Sequence, residues 1–261
     1  MTPDLSDFAA FARTLAAAAR VETLGRAEVG YSVENKAGGG VYDPVTEADK
    51  AAERALRREI EAAFPEHGIQ GEEYPERPAQ GPYGWSLDPI DGTRAFVCGL
   101  PSWTTLIALL EDGAPVLGAI DVPRLEELYL GYSDTAVLVG GGEERALRVS
   151  GCAALGEARL ATTDPYLFSG AEAEGFARLR NAVRLTRYGW DAYAYARLAA
   201  GTLDLVAESG LKPHDYNALV PVVRAAGGAV SNWSGGSDLS EGQIVAAASE
   251  ALLEQAVKLL S

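Results

Sequence analysis

Acidic residues gather at four places where the chain offers turns or helix starts: Asp49, Glu72 with Glu73, Asp88 with Asp91, and Asp215. The densest is Trp85-Ser86-Leu87-Asp88-Pro89-Ile90-Asp91-Gly92-Thr93, where an apolar strand runs into two carboxylates, a glycine and a hydroxyl. Pro89 cannot donate to a sheet and Gly92 permits an unusual backbone angle, so a sharp turn is expected at the strand end, with both carboxylates facing one point. If Gly92 and Thr93 open a short helix through Val97, their N–H groups form an anion site beside that point. The chemistry would be that of a cation held next to a bound anion. His67 and His214 are the only histidines, and the only cysteines, Cys98 and Cys152, have no close spacing. A zinc site and a disulfide framework are therefore not indicated, and any metal must be a hard ion held by oxygen.

Each acid also has an ordinary structural reading. Asp and Pro are common in type I turns, and adjacent acids such as Glu72 and Glu73 are usually solvated loop charge. Asp49, three residues after Thr46, suits a capping partner, and Asp215, between His214 and Tyr216, suits a helix start. The string from Asp88 to Thr93 also resembles the Asp-x-Asp-Gly-Thr nucleophile motif of haloacid-dehalogenase-type phosphatases. It has one residue too many between the aspartates, which on a strand points them differently, and it lies far from the N-terminus. A non-catalytic Ca2+ site is a further alternative, against which stand the lack of a 12-residue EF-hand loop and the position of Thr93 beside the anion pocket.

The elements that must position these acids follow from periodicity. Phe8, Phe11, Ala12, Leu15, Ala16 and Ala19 recur at helical spacing, and Ala52, Leu56, Ile60 and Ala63 form a second stripe between Thr46 and Pro65. A Gly-rich stretch at 38–40 separates the two helices. Short apolar runs at 85–87, 104–110, 116–120, 127–130 and 136–139, with Gly and Pro between them, predict an antiparallel meander, so residues 1–140 read as α+β. Residues 141–261 alternate: strand at 159–161, helices at 172–181 and 193–200, strand at 203–207, helix at 216–226, strand at 244–247, helix at 250–260. That half reads as α/β, and without a long linker the two halves are expected to pack as one unit around a cleft.

Charge narrows the ligand. With 22 Lys and Arg against 37 Asp and Glu, the net charge of −15 repels polyanions and argues against nucleic acid. A small anionic substrate then needs the sign reversed inside the site, which a metal ion does. No apolar run reaches membrane-spanning length, and Thr2, Pro3, Asp4 and Asp7 are too polar for a secretory signal, so a cytoplasmic protein without membrane contact is expected.

Taken together, Asp43-Pro44-Val45-Thr46-Glu47-Ala48-Asp49, Gly71-Glu72-Glu73, Asp88 to Thr93, and Asp215 followed by Ala226-Gly227-Gly228 resemble the inositol monophosphatase superfamily in order and spacing. The resemblance implies a layered αβαβα sandwich of the inositol monophosphatase/fructose-1,6-bisphosphatase type. It also implies Mg2+-dependent hydrolysis of a small phosphate monoester by a metal-activated water, in a homodimer. Carried over residue by residue, it implies that Glu72, Asp88 and the carbonyl of Ile90 hold one Mg2+, and Asp88, Asp91 and Asp215 a second. A third, weaker ion would share Glu72, Asp49 with Thr93 would orient or activate the water, and Gly92 and Thr93 would meet the phosphate.

Substrate choice points to the second half. Members acting on inositol phosphate tend to follow the glycine of Tyr188-Gly189-Trp190-Asp191 with small or hydroxyl residues, whereas this chain has Trp190 and Asp191. Glu208 aligns with a second acid that the family turns toward the leaving group. Two acids suit a cationic leaving group. With Asp91 to Phe96, Cys98 to Pro101 and Gly210 to Pro213, the text resembles the histidinol-phosphatase-like subgroup, which implies L-histidinol phosphate and histidine biosynthesis. A broad inositol or sugar phosphate phosphatase is the alternative, and the ordinary readings are a helix N-terminal charge for Asp191 and a solvated strand end for Glu208. His214 stands where many relatives have Trp, and Lys36 aligns with a lysine near the site in some; their roles stay open.

Overall fold

The structure, a computed structural model, describes residues 4–29, 33–35 and 44–261. Asp43, Lys36 and the Gly-rich stretch at 38–40 lie outside the described residues. The chain opens with α1 (Leu5–Val29), whose Phe8, Ala12, Leu15, Ala16 and Ala19 are buried as their spacing predicts. A two-stranded pair, β1 (Val33–Asn35) and β2 (Pro44–Thr46), leads into α2 (Glu47–Ala63). Thr46 caps α2: its Oγ1 accepts from Ala48 N at 3.1 Å, while Asp49 Oδ2 accepts from Thr46 N at 2.8 Å.

A seven-stranded sheet follows in chain order: β3 (Gly68–Gly71), β4 (Tyr83–Asp91), β5 (Thr104–Glu111), β6 (Ala114–Val122), β7 (Glu127–Tyr132), β8 (Thr135–Gly140) and β9 (Glu143–Ala146). Only β3 and β4 run parallel. Between β4 and β5 lies α3 (Thr93–Val97). The second half comprises β10 (Arg159–Thr162), α4 (Gly170–Ala182), β11 (Leu185–Tyr188), α5 (Tyr193–Ala199), β12 (Leu205–Glu208), α6 (Pro213–Tyr216), α7 (Leu219–Ala225), β13 (Ala229–Ser231), β14 (Ile244–Ala247) and α8 (Glu250–Leu260). Its five strands take the order β11-β10-β12-β14-β13.

Strand alternation sorts the core into layers. Ile107 and Leu109 of β5 pack with Leu15, Leu56 and Ile60 of α1 and α2, whereas Leu106 and Ala108 face Leu198 of α5 and Val222 of α7. That middle helical layer meets Val206 and Ala246 on one face of the second sheet, and Leu205 and Val245 on the other face meet Phe176 of α4 and Leu252 of α8. The order is therefore αβαβα, as the resemblance implies. Gly118 and Gly131 let the start of α7 come close: a Cβ on Gly118 would stand 2.0 Å from Ala218 O, and one on Gly131 2.3 Å from Val222 Cα. No helix among the described residues is long and apolar enough to cross a membrane.

Three expectations change. Residues 140–142 form the turn of the β8–β9 hairpin, so a boundary at 140 cuts through the first sheet, which runs on to Ala146. Strands β1, β2, β9, β11 and β13 were not expected; β9 and β11 carry mostly exposed residues, and β1, β2 and β13 are three residues long, too little for an alternation to register. The single helix expected over 216–226 is two, α6 and α7. Pro221 has no N–H for the carbonyl of Asn217, four residues earlier, and the ladder breaks there.

Candidate active site

The acids of β4 are placed by a bulge rather than by the sharp turn expected after Leu87. Asp88 pairs with Leu106 and Asp91 with Thr104, so β4 carries one residue more than β5 between the two pairs. Residues three apart on a regular strand face opposite ways, and the extra residue returns Asp91 to the side of Asp88. Pro89 is tolerated at this irregularity, and its carbonyl accepts from Thr105 Oγ1 at 2.8 Å. Gly92 then takes φ 79°, a left-handed angle, and starts α3.

Asp215 reaches the same point from α6. Its Oδ2 accepts from Lys212 N at 2.6 Å, and the neighbouring Asn217 donates from Nδ2 to Ser86 Oγ at 3.1 Å, a buried bond that ties α6 to β4. One carboxylate oxygen each from Asp88, Asp91 and Asp215 lies within 4.8 Å of the others. Asp88 is buried, its Oδ1 accepting from Ile90 N at 3.1 Å. Asp91 Oδ2 accepts from Ala192 N at 2.7 Å and Thr104 Oγ1 at 3.3 Å, so the second half grips the bulge directly.

The electrostatics are those of acids crowded together. Burial, then the charges of Glu72, Asp91, Asp215 and Asp49, pushes the Asp88 carboxyl well above the usual range. Asp91 is raised likewise by burial, then by Asp191 and Asp215, against the Ala192 N–H. Asp215 is raised by burial, partly offset by His214, whose Nε2 stands 3.5 Å from its Oδ1. Glu72 stands outside the 4.8 Å group but acts on all three aspartates, and its N–H donates to Leu87 O at 3.2 Å. Oxygen donors with this much mutual repulsion suit a hard divalent cation.

Asp49 is both a capping partner and a neighbour of the site. Its Oδ2 accepts from Thr46 N and Oγ1, and burial pushes its carboxyl to about 6, with Glu72 adding to the rise. The Thr93 hydroxyl donates to the Ile90 carbonyl at 3.1 Å. That bond, rather than one to Asp49, orients Thr93.

At the other end, Asp191 takes φ 45°, and its carboxylate rests against Gly92: a Cβ on Gly92 would stand 2.9 Å from Asp191 Oδ2. Burial raises the Asp191 carboxyl to about 6, against the nearby Arg94. Asp191 thus precedes α5 and also reaches the metal motif. Glu208 is no solvated strand end. It is buried, accepting from Thr163 N at 2.7 Å and Oγ1 at 3.0 Å and from Thr162 Oγ1 at 3.2 Å, and burial pushes it to about 8. Tyr195 was not singled out by any motif. Its hydroxyl is buried without a hydrogen-bond partner among the described residues, in the field of Glu208, Asp91 and Asp215. Asn217, Ser86 and Ala192 were also missed, because a buried amide, hydroxyl or backbone N–H leaves no periodic mark.

Comparison with known proteins places the chain in a family. The profile of the inositol monophosphatase family matches residues 4–261. The bifunctional phosphatase IMPL2, chloroplastic, of Arabidopsis thaliana is 45% identical over 194 residues, which cover 74% of this chain and 55% of the plant protein. A histidinol-phosphatase of Chlorobaculum parvum is 34% identical over 80% of each chain. Among solved structures, an inositol monophosphatase from Zymomonas mobilis superposes with a TM-score of 0.85 at 39% identity, over 99% of each chain. The αβαβα layering, the convergent aspartates and a family match over nearly the whole length lead to one assignment: this chain belongs to the inositol monophosphatase family, whose members are metal-dependent phosphatases.

Proposed function

We propose that the chain is a Mg2+-dependent phosphomonoesterase that hydrolyses L-histidinol phosphate to L-histidinol and phosphate. The observation that carries the reaction is the convergence of Asp88, Asp91 and Asp215 within 4.8 Å at the end of a bulged strand. With Glu72 and the carbonyl of Ile90, these residues would hold two or three ions. Mg2+ held by these residues would offset phosphate charge and supply electrostatic stabilisation for an in-line displacement.

The chain's own residues do the rest. Asp49, ionised above about pH 6, and the hydroxyl of Thr93 hold and orient the water. The N–H groups of Gly92 and Thr93, in the first turn of α3 and unused by its ladder, receive a phosphate oxygen. Asp191 and Glu208 border the leaving group, Asp191 as the partner of its ammonium and Glu208 as the buried acid behind it. The histidinol-phosphatase name of the Chlorobaculum parvum relative supports this choice. The Zymomonas mobilis neighbour favours a second reading, an inositol or sugar phosphate phosphatase.

Hydrolysis rates of histidinol phosphate and inositol 1-phosphate, each with Mg2+ and with a chelator, test the proposal. Faster turnover of histidinol phosphate, lost with the chelator, is expected, and the reverse preference supports the second reading. Asp91→Asn abolishes hydrolysis on this account; near-normal turnover with Mg2+ would sink it. A homodimer is part of the same proposal, and sedimentation of the wild type checks it. A cytoplasmic location accords with two free cysteines.

A further inference from the structure

Glu53, on α2, is fully buried although it carries a charge and is no part of the aspartate cluster. Its two oxygens serve different elements. Oε1 accepts from Arg57 Nε at 2.8 Å, one turn along the same helix, and Oε2 accepts from Glu73 N at 2.7 Å, in the loop after β3. Arg57 Nη2 donates to Tyr74 O at 3.2 Å, and Arg54 Nη1 to the Tyr74 hydroxyl at 2.5 Å. The loop is therefore pinned to α2 at Glu73 and Tyr74.

Glu72 sits between two anchors. Its own N–H is fixed on Leu87 O of β4, next to Asp88, and the following N–H is fixed on Glu53. Gly71 is shaped to admit that clamp, since a Cβ there would stand 2.0 Å from Glu53 Oε1 and 2.3 Å from its Cδ. Glu53 also lies one turn after Asp49, so a single helix face carries both Asp49 and the group that fixes the loop of Glu72.

We infer that Glu53 is a positioning residue: by holding the Glu73 amide from α2, it sets where the Glu72 carboxylate stands relative to Asp88 and so tunes the site's cation affinity without touching substrate. The inference rests on reading Glu72 as a cation ligand. Groups that orient metal ligands in this way typically govern affinity by about 10- to 100-fold.

The test is a calorimetric Mg2+ titration of the full chain without substrate, for wild type, Glu53→Gln and Glu72→Gln. An amide at position 53 offers one acceptor oxygen to two donors, so the Glu73 anchor loosens while the shape of the side chain is kept. For Glu53→Gln the Mg2+ Kd is expected to rise about tenfold, with kcat at saturating Mg2+ within about threefold of wild type. A lowered melting temperature with unchanged Kd overturns the inference and leaves Glu53 a purely structural ion pair. If Glu53→Gln does not fold by circular dichroism, Arg57→Lys carries the test. It keeps the charge, loses the fork to Tyr74, and must raise Kd at least about threefold, an unchanged Kd again overturning the proposal. If Glu72→Gln leaves Kd unchanged, it is the reading of Glu72 as a ligand that fails. If Glu72→Gln raises Kd and Glu53→Gln does not, only the positioning role fails.

Discussion

Replacing Asp191 by Asn isolates the charge that would recognise an amine. Asn keeps the size of the side chain lying against Gly92, and it tolerates the left-handed angle of φ 45°, so the Ala192 N–H should stay on Asp91. What disappears is one negative charge. An ion pair at about 4 Å in a partly buried site is worth roughly 4 kcal/mol of Coulomb energy. Desolvation of the incoming ammonium offsets part of this, and hydrogen bonds to charged groups contribute about 1.5–3 kcal/mol net. At about 1.4 kcal/mol per decade, kcat/KM for histidinol phosphate should fall about 10- to 150-fold. The value for inositol 1-phosphate, whose leaving group is neutral, should stay within about threefold, since it gains nothing from that pair. The pH dependence has a definite sign. Burial raises the Asp191 carboxyl to about 6, so the wild-type preference for the cationic ester is full only well above that range and declines as pH falls through it. In Asp191→Asn that decline disappears. The assay is steady-state phosphate release from both esters at saturating Mg2+ between pH 5 and 8. Equal losses on the two substrates, or no loss on histidinol phosphate, would refute the reasoning.

Other expectations concern stability. His67 is buried, its Nδ1 accepting from Trp85 Nε1 at 3.1 Å, and burial lowers its pKa against the opposing charge of Glu66. Its folded pKa lies below its unfolded one, so its contribution is present at neutral pH and is lost as pH falls below about 6.5; melting curves of His67→Gln should flatten that acid limb. Asn217→Ala breaks the buried bond to Ser86 and should cost about 1–2 kcal/mol in urea unfolding, with weaker Mg2+ binding because Asp215 loses its tie to β4. Tyr195→Phe removes an unpartnered hydroxyl and should leave unfolding free energy unchanged or slightly raised; a loss above about 1 kcal/mol would show that the hydroxyl has a partner after all.

Helices were legible wherever one face is apolar and the ends are marked. α8 occupies the range 250–260 expected for it, with Ser249 capping its start, and α2 begins at the Thr46–Asp49 capping box. The meander from β4 to β8 was legible for the same reason, strands β5 to β8 each alternating between two cores. Strand β11 was not, because it is an edge strand whose residues are mostly exposed. The site divides in the same way. Asp88, Asp91 and Asp215 could be named from the motifs, but the bulge that brings the first two to one side is a matter of register with β5, which no single segment records. Glu53 carries no mark in the sequence, since its meaning depends on a loop twenty residues away that finds it in space.

The meeting of Asp88 with Asp215 has a consequence for the chain as a polymer. These carboxylates are more than about a hundred residues apart in sequence, and an ion gripping both would close that loop much as a disulfide does, a constraint of up to roughly 4–5 kcal/mol on the unfolded ensemble in chain-entropy terms. Unlike a disulfide, such a staple can be removed under native conditions, and it joins β4 of the first sheet to α6 of the second half. The same acids that repel one another when bare would, once loaded, fasten the first sheet to the second half of the chain.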